Sequence, residues 1–182
     1  MKAKVVLADP AWQFSDKLEQ SSVKRGAAAN YETLTHEDII NLNVKSIVAD
    51  DAVLVMWVPS ALIPEGLRAL ENWGFNYKQT FIWTKIKDKP LEVLVKEFRK
   101  NLKDISTKKN IIQTLESVIN AFDIDDILNF KMGHIFRQTH EICLVGSRGK
   151  LSNILKNRSQ RSVCLAPPGK HSQKPEELQN RL

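Results

Sequence analysis

Ala52-Val53-Leu54-Val55-Met56-Trp57-Val58 is an unbroken apolar run. Its length and its β-branched and aromatic content make it a strand buried on both faces, the kind that stands centrally in a parallel sheet. Ser60 follows as the cap of a helix. In that helix Leu62, Leu67, Leu70 and Trp73 recur on one face, and Gly74 stops it. Phe75 to Ile86 forms the next strand, with Tyr77, Phe81, Ile82 and Trp83 supplying strand-forming bulk. Strand, helix and strand in sequence make a βαβ unit, which predicts an α/β fold.

Upstream lies Val5-Val6-Leu7-Ala8-Asp9-Pro10-Ala11-Trp12. A second apolar strand ends in one carboxylate, and the X-Pro step then holds the chain extended. Ligands of open α/β sheets sit at the carboxyl ends of strands, so Asp9 is a candidate site residue. Trp12 offers a flat face nearby, and a carboxylate beside an aromatic platform suits a planar ring carrying an amino group, such as a nucleobase. The structural alternative is a turn in which Asp9 caps backbone amides and Trp12 packs in the core. Residues 13–30 are polar, contain Lys17, Lys24 and Arg25, and read either as a mobile functional loop, for which a lid over Asp9 is one use, or as simple disorder. Thr35 then caps a short helix that runs to Leu42, with Glu37 and Asp38 in its first turn.

Downstream, residues 89–130 change character. Leu91, Leu94, Val95, Phe98, Leu102 and Ile105, then Ile111, Ile112, Leu115, Val118, Ile119 and Phe122, follow helical spacing, and Asp123 opens a third short run. This is a helical insertion with balanced charge, suited to packing, positioning or dimerisation. Glu141-Ile142-Cys143-Leu144-Val145 is another buried strand, followed by Gly146-Ser147-Arg148-Gly149, a loop able to approach an anion closely. Ser162 to Ala166 forms a further strand. After it, Ser172 caps a helix with Pro175 and two glutamates in its first turn.

At 182 residues the chain suits a single domain with a real core. Its 42% hydrophobic and 26% charged residues are ordinary for a globular protein. No apolar run approaches the roughly 20 residues that span a bilayer, and the expected location is the cytoplasm of a bacterium or a phage-infected host. Cys143 and Cys164 stand alone in apolar runs and read as buried thiols. His36, His134 and His140 lack ligand spacing, so no metal is expected. Of the net charge of +6, the informative part is the stretch from Ser147 to Lys174, which holds Arg148, Lys150, Lys156, Arg158, Arg161, Lys170 and Lys174 and no acid. Such a block fits phosphate contacts or an ordinary solvated surface.

Four ordered stretches carry a resemblance: Ala8-Asp9-Pro10-Ala11-Trp12 against the pattern Asp-Pro-Pro-Trp; Tyr31-Glu32-Thr33-Leu34 with the acidic helix after it; Leu54-Val55-Met56-Trp57-Val58; and Glu141-Ile142-Cys143-Leu144-Val145-Gly146 with His171-Ser172-Gln173-Lys174-Pro175. With these the chain resembles the N6-adenine methyltransferases related to the catalytic subunit of the eukaryotic mRNA adenosine methyltransferase, in their bacterial or phage form. The resemblance implies a Rossmann-like methyltransferase sheet with permuted motif order, S-adenosyl-L-methionine as donor and the N6 amine of adenine as acceptor. DNA is preferred to RNA for so compact a chain.

The same resemblance assigns roles. Asp9 and the Pro10 carbonyl would hold the amine, Ala11 and Trp12 complete the catalytic motif, and Trp12 stacks on or walls the base. Tyr31, Trp57 and Glu141 would contact the target nucleoside. Ala8, Asp9, His171, Ser172 and Lys174 would reach the donor, and Arg148, Lys150, Lys156, Arg158 and Arg161 the nucleic acid. Ala11 stands where the family has proline, which loses a rigid φ and no functional group. In the family a glycine-bearing strand and an Asn-containing tail follow the His-Ser-x-Lys-Pro helix. Neither has a counterpart before Leu182, so the expectation is either a piece of a longer protein or an incomplete donor site. The competing reading is a catalytically inactive methyltransferase-like module that binds nucleic acid and pairs, as homo- or heterodimer, through its helical insertion.

Overall fold

The computed structural model describes residues 2–13, 33–101, 108–133, 135–170 and 172–182. Five strands, β1 (Ala3–Ala8), β2 (Val48–Val58), β3 (Asn76–Lys85), β4 (His140–Arg148) and β5 (Val163–Ala166), form one sheet in the order β1-β2-β4-β3-β5. The helices are α1 (His36–Ile40), α2 (Ile63–Asn72), α3 (Glu92–Asn101), α4 (Lys108–Asn120) and α5 (Glu176–Arg181). The fold is α/β, as the βαβ pattern predicts. The chain divides into two compact units: residues 1–82, 141–163 and 177–182, and residues 83–140 and 164–176.

The first unit is built around β2. It pairs in parallel with β1 (Val5↔Val53, Ala8↔Met56) and antiparallel with β4 (Ala52↔Arg148, Val58↔Ile142). The sheet is therefore mixed where an all-parallel surrounding was expected. Burial on both faces explains why β2 reads as one apolar run, but it leaves the direction of each neighbour to the connections. One face of β2, carrying Ala52, Leu54, Met56 and Val58, packs with Ile39 and Ile40 of α1, Ala69 and Leu70 of α2, and Trp73 and Phe75 beyond it. Val53, Val55 and Trp57 on the other face are buried as well. Each such side chain withdrawn from water contributes about 1.5–3 kcal/mol.

Local chemistry sets the helix ends. The Asp38 N–H donates to Thr35 Oγ1 at 3.1 Å, so Thr35 is the cap it was expected to be. Ser60 is not a cap: it opens a 3-10 turn, Ser60–Leu62, and α2 starts at Ile63 with Pro64 in its first turn and no capping side chain. A proline pre-set to helical φ and lacking an N–H makes such a cap less necessary. Gly74 ends the turn after α2 with φ +85°. Gly66 lets α2 lie directly on the sheet, since a Cβ there would come within 2.8 Å of both Val58 methyls.

In the second unit α3 packs on α4, and Asp123 caps the 3-10 turn Ile124–Asp126. The Trp83 Nε1–H donates to Ala166 O at 2.9 Å, and Lys85, a residue 2% exposed, places its ammonium 5.1 Å from the Trp83 ring centre. Lys131 and Gln138 close a hairpin. The helix expected from a Ser172 cap begins only at Glu176, because Ser172 sits at φ +62°, outside the extended conformation of an N-cap. No helix among the described residues is long and apolar enough to cross a membrane, and the described residues contain no cluster of metal-ligating side chains.

Candidate active site

The last β1 ladder pair is Ala8↔Met56, so Asp9 is the first residue past the strand, at the end of β2 that carries Trp57. It is exposed there. The turn after it is tightly held. The Trp12 N–H donates to Pro10 O at 2.8 Å, and the Leu34 N–H donates to Ala11 O at 2.9 Å. The Trp12 indole N–H reaches back to Trp57 O at 2.9 Å. His36 of α1 bonds Gln13 O through Nε2 at 2.8 Å and meets the Trp12 ring edge-on at 6.3 Å. Residues 10–13 are thus tied both to β2 and to the approach to α1.

These bonds correct one expectation. Trp12 is 3% exposed and belongs to the core cluster, so its ring is not an open platform for a base. Its bond to Trp57 O fixes the turn that presents Asp9, the structural alternative that its sequence neighbourhood left open. Trp57, also 3% exposed, offers its backbone carbonyl to Trp12 and keeps its ring inside.

Strand pleating decides which side chains share a face. Ala8 and Val6 pack on the helix-covered side, which turns Val5, Leu7 and Asp9 toward the other. Trp57 and its partner Cys143 lie on that second face, and Glu141, two residues before Cys143, follows it. Half-buried Glu141 stands just beyond the Val58↔Ile142 pair, at the same end of the sheet as Asp9. Two carboxylates on the strands flanking β2 are separated by two strand spacings, about 10 Å. Asp9, Pro10, Ala11, Trp12, Trp57 and Glu141 are therefore brought together, with Ala8 half-buried beneath them.

Arg148 and Lys150 are not part of this group. Arg148 pairs with Ala52, six residues before Val58 along β2, which puts it about 20 Å from the Asp9 end. There Arg148 Nη2 lies 3.9 Å from Asp50, while its Nη1 is buried without a partner. The Lys150 N–H donates to Asp51 Oδ1 at 2.7 Å and Asn153 Nδ2 donates to Asp51 Oδ2 at 2.6 Å. The Lys150 amide bond, then the Asn153 bond, hold the Asp51 carboxyl below its ordinary range, with the Lys150 and Lys4 charges adding to it. Gly149, at φ +64°, passes so close to Asp50 and Asp51 that a Cβ would overlap them. The glycine expected to approach an anion thus approaches this chain's own carboxylate. An Asp-Asp pair just before an apolar run was the only sequence signal for this turn.

Lys156 and Arg158 are exposed on the segment leading to β5. Arg161 donates to Ser159 O at 3.1 Å. Arg181, for which the sequence pattern carries no signal, donates from Nη1 to Arg161 O and Val163 O at 2.7 and 2.9 Å and stacks 5.5 Å from the Phe81 ring. Ser172 and Lys174 lie in the second unit, exposed and half-buried. Tyr31, His171, His134 and residues 14–30, with the expected lid, lie outside the described residues.

An exposed carboxylate at a strand end suits the cationic sulfonium of S-adenosylmethionine. The glycines described in this unit do not cradle its nucleoside: Gly66 lies on Val58, Gly74 on Lys45, Gly146 on Leu70 and Gly149 on Asp51. Among the described residues of this unit, Asp9 thus fits the methyl-transfer end of such a site, and none of these glycines fits its nucleoside end.

Comparison with known proteins identifies a family. The MT-A70 family model matches residues 3–122, a span holding Asp9 to Trp12 and β2. The type II methyltransferase M.MunI of Mycoplasma sp is 32% identical over 104 residues, covering 49% of this chain and 45% of that protein. A probable N(6)-adenosine-methyltransferase MT-A70-like protein of Oryza sativa subsp. japonica is 25% identical over 175 residues, 96% of this chain and 18% of that protein. The N(6)-adenosine-methyltransferase catalytic subunit METTL3 of Homo sapiens is 31% identical over 84 residues, 46% of this chain and 12% of that protein. The chain spans less than half the length of these relatives.

Proposed function

Because the chain belongs to the MT-A70 family, whose methyltransferases use S-adenosylmethionine, we propose that it serves methyl transfer to the N6 amine of adenine in nucleic acid, DNA ahead of RNA. The observation that carries this reading is the exposed Asp9 held at the end of β1 by the Trp12 to Trp57 bond. The exocyclic nitrogen of adenine is a poor nucleophile because its lone pair is delocalised into the ring. The Asp9 carboxylate accepts one amine hydrogen. Pro10 O, which already accepts the Trp12 N–H, has a second lone pair for the other. Held this way the nitrogen is pyramidal and its lone pair is directed at the incoming methyl group. When bound, the donor supplies that methyl. Asp9 then stabilises the positive charge that develops on nitrogen and takes its proton, directly or through water. Glu141, about 10 Å across β2, is suited to contact the same target nucleoside.

The test is mass spectrometry of nucleosides from DNA and RNA incubated with the protein and isotopically labelled donor. Labelled N6-methyladenine in DNA is the expected result, and unlabelled adenine in both pools overturns the reading. A second reading has its own support. On α4, Ile111, Leu115 and Ile119 recur at helical spacing and are 39%, 40% and 62% exposed. Such a stripe suits a partner helix, so a subunit that binds nucleic acid and pairs through the 89–130 segment is the alternative.

A further inference from the structure

In the second unit the Lys131 N–H donates to Gln138 O at 2.9 Å and the Gln138 N–H returns to Lys131 O at 3.0 Å, closing a short hairpin. What this hairpin carries outward is apolar. Met132, Ile135 and Phe136 are 80%, 87% and 84% exposed, and Phe130 at its foot is 59% exposed. A single exposed hydrophobe needs no explanation, but four on one hairpin mark a contact surface. Charge indicates the partner. Lys131 and Arg137 flank the tip, and residues 127–140 contain no carboxylate. The Arg137 guanidinium lies 5.9 Å over the Phe130 ring and contacts Met132 Sδ, so the cation is already held in place. An apolar tip between two cations, with no carboxylate nearby, matches a base stack between two phosphate backbones.

We infer that this hairpin is a base-stacking wedge: Ile135 and Phe136 enter the base stack of nucleic acid while Lys131 and Arg137 take the adjacent phosphates. This rests on the nucleic-acid reading above and deepens it. Chemistry on a paired adenine requires the base to leave the stack, and apolar side chains that fill the gap make the open state less costly.

The experiment is fluorescence anisotropy of the full chain, without donor, on a duplex with a central abasic gap and on the same duplex fully paired, at one salt concentration. Stacking worth about 1–3 kcal/mol for one base corresponds to a preference for the gapped duplex of roughly 5- to 150-fold. The double variant Ile135→Ser with Phe136→Ser is expected to lose that preference and to bind the paired duplex within about twofold of wild type. Phe136→Tyr, which still stacks, keeps it. Paired and gapped duplexes bound equally by wild type, or a preference that survives the double variant, overturns the wedge alone. So does loss in the double variant of binding to phosphatidylserine vesicles or of self-association, with duplex binding unchanged. Failure of wild type to bind any duplex overturns the nucleic-acid reading itself.

Discussion

The indole N–H of Trp12 donates to the carbonyl oxygen of Trp57 at 2.9 Å across a buried contact. This one bond joins the turn carrying Asp9 to the end of the central strand. Trp12→Phe keeps most of the ring and leaves the Trp57 carbonyl without that donor. The expected loss is about 1–3 kcal/mol, read in thermal unfolding as a fall in Tm of roughly 2–10 °C. An unchanged Tm would show that the turn is held by its other contacts.

Asp9 is exposed, so its replacement perturbs the fold little. Asp9→Ala is expected to keep stability within about 0.5 kcal/mol and nucleic-acid affinity near that of wild type, while methyl transfer to adenine disappears. Adenine methylated at the wild-type rate by this variant would remove Asp9 from the chemistry.

Asp51 titrates in the opposite corner of the first unit. Its carboxyl is held below the ordinary value of 3.8 by the Lys150 amide and Asn153, so its contribution to stability is present above about pH 4. That contribution is lost as pH falls through the lowered folded-state value. Asp51→Asn should therefore destabilise the protein relative to wild type at about pH 6, and the gap should narrow as pH falls below the ordinary value of 3.8. Urea midpoints measured at pH values above and below 3.8 read it, and a gap that does not narrow on acidification would exclude the carboxylate as its source.

Lys156 and Arg158 are exposed, whereas Arg148 is largely enclosed near Asp50. Replacing both Lys156 and Arg158 by glutamine is expected to lower the slope of log affinity against log salt by about 2, the size expected for two phosphate contacts. An unchanged slope would assign these charges to ordinary surface.

Much of this arrangement is legible in the sequence. The apolar runs give β1, β2, β3, β4 and β5, Thr35 gives the start of α1, and Gly74 the stop after α2, because each rests on local chemistry. The direction of β4 beside β2 is not legible, since burial patterns are the same for parallel and antiparallel neighbours. Nor is the fate of Trp12: an aromatic after a strand end is equally compatible with an open stacking face and a buried hydrogen bond to Trp57. Arg148 and Asp9 are both strand-terminal polar residues, and only the register of β2 against β1 and β4 reveals that they belong to opposite ends of the sheet.

The β2 register also governs when the site comes into being. Val5 must find Val53, and Val58 must find Ile142. Both closures join distant parts of the chain, whose entropy is lost before the contacts reward it. Neither α1 nor α2, which form from neighbouring residues, brings Asp9 to Glu141. The two carboxylates reach the same end of the sheet only when both long-range pairings are complete, so the geometry that would hold an adenine amine depends on contacts remote in sequence and not on local helix formation. Conditions that loosen the β1 pairing dismantle it.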